Sequence, residues 1–103
     1  MLEIKLADEF TTTPGGRFVK DGPYSGEQFR KEKLEPVFRN KEDQEIVELY
    51  LDGAEGYPSS FLEEAFGGLV RAVGDKEEIK KRLKLNSENK VLINEIKNYI
   101  EKA

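Results

Sequence analysis

The sequence predicts one α/β domain, a mixed four-stranded sheet with helices packed mainly on one face. Three observations predict it. Leu2, Ile4 and Leu6 alternate with Glu3, Lys5 and Ala7, and Val47, Leu49 and Leu51 alternate with Glu48 and Tyr50. That period of two marks strands with one apolar face. Phe61, Leu62, Ala65, Phe66, Leu69, Val70 and Val73 fall instead on one stripe of a helix. In the later half strands and helices alternate, which requires crossover connections and a mostly parallel sheet there.

Taken in order, residues 2–6 form the first strand, and Thr11, Thr12, Thr13, Pro14, Gly15 and Gly16 have loop composition. Arg17 to Lys20 reads as a short second strand, a hairpin partner of the first, ended by Asp21, Gly22 and Pro23. Ser25 with Gln28 three residues later is a capping-box pattern that opens a helix burying Phe29, Leu34, Val37 and Phe38. Pro36 disfavours helical geometry at Glu35 and should split or kink that helix. Asn40 to Gln44 is a polar connection into the central strand Val47 to Leu51. Asp52, Gly53, Gly56 and Pro58 then make a turn. Ser59 and Ser60 open the central helix, which Gly74 stops. Asp75 with Glu78 suggests a short helix, Leu83 and Leu85 around Lys84 a last strand, and Ser87 the cap of a final helix burying Leu92, Ile96, Tyr99 and Ile100.

The chain has 103 residues, 37% of them hydrophobic and 37% charged, with a net charge of -4. Its mean hydropathy is -0.68. This balance fits a single water-soluble globular domain. No run approaches the roughly 18 apolar residues a bilayer span needs, and no basic-then-apolar leader precedes the fold, so a cytoplasmic location is expected. With no cysteine, disulfide and thiolate chemistry are excluded. With no histidine, imidazole bases, imidazole zinc ligands and Ser-His-Asp mechanisms are excluded as well. A metal would need oxygen ligands, and the spacing of a calcium loop does not occur. No cofactor and no enzymatic activity are expected. The acidic balance does not favour nucleic acid or an anionic membrane.

Four features remain. Ser60 with Glu63 is itself a capping-box pattern, and Ser59 and Ser60 are also candidate phosphoacceptors at a helix start, although Glu63 and Glu64 would repel a phosphate there. Gly67 and Gly68, with Glu63, Glu64 and Arg71, fall on the side away from the apolar stripe, where a bare patch permits close approach by another backbone of this fold or of a partner. Pro14-Gly15-Gly16-Arg17 is a candidate anion-binding nest or simply a hairpin turn, and it lacks the Walker pattern. The basic clusters Arg30, Lys31, Lys33 and Lys80, Lys81, Arg82, Lys84 read as solvated faces rather than a nucleic-acid surface.

PGGR at Pro14 to Arg17, GPYSGEQFR at Gly22 to Arg30, the Leu34-Glu35-Pro36 step and YPSSFLEEAFGGLVR at Tyr57 to Arg71 together resemble the STAS-like domain family of unknown function found in bacteria and their phages. That family is similar to the STAS domains of anti-sigma factor antagonists, small α/β domains switched by phosphorylation of a serine after a central strand. Their partner is a kinase of the histidine-kinase-like ATPase fold. The resemblance makes Ser60 the counterpart of the switch serine and Ser59 its neighbour, while Pro58 and Phe61 stand where antagonists usually carry an acid and a glycine. It implies a STAS-like regulatory module that binds a protein partner, such as an ATPase of that fold. The contacts would come from Gly53 to Ser60 and the outer face of the next helix, through Tyr57, Pro58, Phe61, Glu63, Glu64, Gly67, Gly68 and Arg71. Two other readings stay open. One is a nucleotide or phosphorylated-ligand domain using Gly15, Gly16 and Arg17; the other is a mobile-element protein acting on a host defence or toxin system. Edge strands on so small a sheet also leave a homodimer open.

Overall fold

The alternation read in the sequence becomes three strands in a computed structural model that describes all 103 residues. Strand β1 is Leu2–Lys5, β2 Val47–Tyr50 and β3 Leu83–Asn86. They form one sheet in the order β1-β2-β3, parallel throughout. The register sets Leu2, Val47 and Leu83 side by side, then Ile4, Leu49 and Leu85. Side chains alternate across a strand, so these six share one face and Glu3, Lys5, Glu48, Tyr50, Lys84 and Asn86 share the other. Val47 and Leu49 are wholly buried, whereas Glu3, Lys5 and Lys84 are exposed. The helices therefore cover one face. All-parallel sheets are ordinarily covered on both.

The expected fourth strand and its hairpin are not there, and the sheet is not mixed. At Arg17 to Lys20 the chain makes a single 3-10 turn, Val19–Asp21. Phe18 and Val19 are both exposed, so no alternating apolar face exists to bury. Carboxylates take the amides a strand would have offered: Asp21 accepts from the Phe18 N–H at 3.0 Å and Glu27 from the Val19 N–H at 2.9 Å. The first strand also ends early. Leu6 opens a one-turn helix, α1 (Leu6–Glu9), whose Glu9 carboxylate reaches back to the Lys5 amide at 2.7 Å.

Helix α2 occupies residues 26–38 in three pieces: an α turn Gly26–Phe29, a π-helical segment Arg30–Leu34 and an α turn Glu35–Phe38. Ser25 caps it, accepting the Gln28 N–H at 3.0 Å. The Gln28 side chain accepts from Tyr24 rather than completing a box with Ser25. Pro36 explains the wide turn. Its ring would press on the carbonyl four residues back, and in the π step Glu35 donates to Arg30, five residues back.

Helix α3 occupies residues 59–73, again with a π segment, Glu63–Gly67, in its middle. Gly74 ends it at φ 78°, the left-handed geometry that favours glycine. Helix α4 is Lys76–Arg82, capped by Asp75. Helix α5, Lys90–Lys102, is capped by Asn89, which accepts the Leu92 N–H at 3.1 Å. Ser87 is therefore not the cap; it accepts the Asn89 N–H and donates to Asp52. No helix is long and apolar enough to cross a membrane.

The core gathers on α3. Phe61, Leu62, Ala65, Phe66 and Leu69 have no exposed surface, and the Phe29 ring sits 6.1 Å from that of Phe61 and 6.4 Å from that of Phe66. Burying each such large side chain stabilises the fold by about 1.5–3 kcal/mol. Gly26 lets α2 meet α3 closely: a Cβ there would overlap the Phe61 carbonyl oxygen.

Candidate functional site

The turn 52–58 leaves the carboxyl end of β2, the end at which parallel α/β sheets bind ligands. It is held at both ends and once in the middle, where the Glu55 N–H donates to the Thr12 carbonyl at 2.8 Å. The Leu51 N–H donates to Asn86 at 3.0 Å and the Tyr57 hydroxyl donates to the Leu51 carbonyl at 2.6 Å. Asp52 accepts from the Ser87 hydroxyl at 2.6 Å and the Glu88 N–H at 3.0 Å. These two donors, Ser87 first, hold the Asp52 carboxyl below its ordinary value. Burial, helped by the charge of Asp52, raises the Tyr57 phenol, so it stays a hydrogen-bond donor. Between these anchors Gly53, Glu55 and Gly56 are exposed, as is Pro58. A cavity of about 290 Å³ lies under the turn, with Asp52, Glu55, Tyr57, Asn89 and Glu95 in its wall.

The two serines enter here. Pro58 occupies the cap position, and Ser59 and Ser60 are the first two helical residues, with no side-chain cap. The Ser60–Glu63 capping box is thus absent, because Glu63 is drawn elsewhere. Ser59 is exposed and Ser60 half-buried. The Ser59 hydroxyl donates to Glu95 at 3.2 Å, and the Tyr99 hydroxyl donates to the same oxygen at 2.9 Å. Sequence reasoning missed Glu95. Its four-residue spacing to Tyr99 on one face of α5 was the available signal.

The outer face of α3 is not bare. Glu63 lies between two guanidiniums, Arg17 and Arg71, the latter at 2.8 Å. Arg71 first and then Arg17 hold its carboxyl below the ordinary range, against the opposing effect of burial. Glu64 is 9% exposed and pairs with Arg30, which is equally buried and also binds Glu35 at 2.7 Å. Burial disfavours the Glu35 charge, yet the bonds from Arg30 and Arg39 outweigh it and keep that carboxyl low. Gly67 and Gly68 are buried beneath this network. A Cβ on Gly68 would lie 2.5 Å from Arg30 Nη1, and one on Gly67 2.6 Å from Glu63 Oε2. The close approach that the glycine pair permits is made within the fold. Phe61, fully buried, has no surface to offer a partner. Arg30 and Arg82 are not solvated basic residues either: Arg82 is 1% exposed, donates to the Glu45 carbonyl at 2.9 Å and stacks 4.9 Å from the Phe38 ring centre.

The Pro14 to Arg17 segment is a strap tied into the fold. Gly15 N–H donates to Tyr24 at 2.8 Å, Gly16 accepts the Gly26 N–H at 2.9 Å and Arg17 accepts the Glu27 N–H at 3.0 Å. The Arg17 guanidinium is spent on Glu63 and Glu64. The Gly15 N–H and the Arg17 guanidinium are thus turned inward, while Gly16 and Arg17 lend the strap their carbonyls.

No curated protein and no solved structure matches the chain significantly. The family description "STAS-like domain of unknown function" matches residues 25–92, from the cap of α2 into the first turn of α5. The span takes in the central strand, the turn, both serines and α3, and leaves out β1 and the strap. Matched over well over half its length, the chain belongs to this family of STAS-like domains.

Proposed function

We propose that the domain is a non-enzymatic regulatory module whose protein partner docks on the exposed turn 53–60, with the hydroxyls at the start of α3 controlling the contact. What carries this reading is the placement of Ser59: exposed at the rim of the sheet, at the entry of the most buried helix, and hydrogen-bonded to Glu95 of α5. A phosphate there adds about -1.5 to -2 charges at pH 7. It would face the Glu95 carboxylate at hydrogen-bond range, break the Ser59–Glu95 link and shift the turn relative to α5. Ser60, half-buried beside it, is the second acceptor. The contact surface is narrower than sequence alone suggests: Tyr57, Pro58 and Ser59, with Glu63 and Arg71 at the margin. An ATPase of the histidine-kinase-like fold is the partner class that the family resemblance offers.

The test begins with whatever protein co-purifies with the untagged domain, and its affinity is then measured by calorimetry. Ser59→Ala and Ser60→Ala should bind about as wild type does. Ser59→Glu should bind severalfold differently, and Ser60→Glu less so. Equal affinity for wild type and all four variants removes the switch. Unchanged affinity after Pro58→Asp and Gly56→Asp removes the docking turn.

A further inference from the structure

We infer that the outer edge of β3 accepts an extended strand from a partner protein, one whose residues alternate apolar and acidic. This surface is separate from the turn 53–60, and the inference is independent of the function proposed above. The sheet ends at β3. The Leu51 N–H donates to the Asn86 carbonyl, so the backbone groups of Asn86, and by alternation those of Lys84, face β2. The C=O of Leu83 and the N–H and C=O of Leu85 therefore point away from the sheet, where a further strand would pair, while the Leu83 N–H closes the last turn of α4 on the Ile79 carbonyl. Directly beneath, between β3, α4 and α5, lies a groove of about 520 Å³ whose apolar lining is Ile79, Leu83, Leu85 and Ile100. Leu85 is only half-buried there.

An added strand in register would lay alternate side chains into this groove, beside Leu83 and Leu85, and the intervening one beside Lys84 on the open sheet face. Lys84 is exposed, and neither it nor Lys97 on the groove wall has an ion-pair partner, whereas Lys80 is held by Glu101 at 3.1 Å. The row across the open face runs Glu3, Glu48, Lys84, so an acid in the next place continues it with opposite charge. Apolar residues below and an acid above define the occupant. Strand addition of this kind takes affinity from main-chain bonds and specificity from alternate side chains. A second copy adding its own β3 about a twofold axis would bring Lys84 towards Lys84, and like charges across a strand pair destabilise it.

Three labelled peptides test this by fluorescence anisotropy with the whole 103-residue chain. The first alternates valine with glutamate, the second valine with lysine, and the third is the glutamate peptide with its alternate amides N-methylated on the edge-facing side. The glutamate peptide should bind, and the N-methylated one should lose binding. Lys84→Glu, at an exposed and unpaired position, should weaken the glutamate peptide roughly two- to fivefold and strengthen the lysine peptide. Circular dichroism checks that this variant is folded. Equal binding of the first two peptides, no binding of either, or indifference to Lys84→Glu overturns the inference. So does concentration-dependent self-association in sedimentation that Lys84→Glu abolishes, which would assign the edge to a second copy.

Discussion

Two glycine- and proline-bearing segments flank α3, the strap 14–24 and the turn 52–58, and in sequence they look alike. The fold treats them differently. The strap gives its backbone to the structure through bonds of Gly15 to Tyr24, Gly16 to Gly26 and Arg17 to Glu27, and it gives its one guanidinium to α3. The turn is held at its ends by Asp52 and Tyr57 and in its middle by a single bond from the Glu55 N–H to the Thr12 carbonyl at 2.8 Å, and it leaves Gly53, Glu55, Gly56 and Pro58 exposed. Loop composition reports conformational freedom, not whether that freedom has been spent. What separates a brace from an exposed turn is where the amides and charges end up.

If the braced side holds the fold, removing its central cation should do the greatest harm. Arg30→Ala leaves Glu64 and Glu35, both largely buried, without the guanidinium they share. Breaking a buried pair from one side costs about 3–5 kcal/mol, and the lower end applies here because Arg39 still reaches Glu35. Urea unfolding would read it, and a loss below about 1 kcal/mol would reduce the network to decoration. Gly26→Ala comes next, at roughly 2–3 kcal/mol, because the added methyl overlaps the rigid Phe61 carbonyl rather than a side chain that can swing away. If that variant unfolds at the urea concentration of wild type, the two helices are not tightly apposed.

Much of this was legible in the sequence, and most of the misses share one cause. Alternation at Leu2 to Lys5 and Val47 to Tyr50 and the stripe through Phe61 to Val73 depend on local periodicity, and they appear as strands and helix. The Ser25 start, the stop at Gly74 and the disturbance before Pro36 depend on local backbone chemistry, and they appear too. The strand at Arg17 to Lys20, the Ser60–Glu63 box and the bare glycine face all failed because distant partners intervened. Glu27 took the Val19 amide, Arg17 and Arg71 took Glu63, and Arg30 lies over Gly68. Pairings across 46 residues, such as Arg17 with Glu63, leave no periodic trace in a single chain. At the candidate site the serines and the turn were legible, but Glu95, which decides what Ser59 touches, was not.

Acid should weaken the braced side. Glu63 and Glu35 have folded values below the ordinary 4.5, so the unfolded chain binds their protons first. Their contribution is complete above 4.5 and is lost as pH falls through that value and beyond. Stability should therefore be flat at neutral pH and decline below about 4.5, by less than either substitution above. Glu63→Gln should flatten the decline, whereas Asp52→Asn in the turn, at an exposed carboxyl, should alter it less. An equal or larger change from Asp52→Asn would reverse the contrast between the two segments.

The smallest effect sharpens the contrast most. Gly56 lies in the exposed turn, has no positive φ, and a Cβ there meets nothing within 4 Å. Gly56→Ala adds the same methyl as Gly26→Ala, so chemistry is constant and only position differs. With no clash, its main effect falls on the unfolded chain, which loses conformational freedom, and the folded state gains about 0.4–1 kcal/mol or stays unchanged. Gly53→Ala, in the same turn but at φ 100° and with its new methyl 3.1 Å from the Ala7 Cβ, is strained and should not share that gain. A destabilisation of Gly56→Ala comparable to that of Gly26→Ala would mean the turn is packed at Gly56 and would erase the contrast between the two segments.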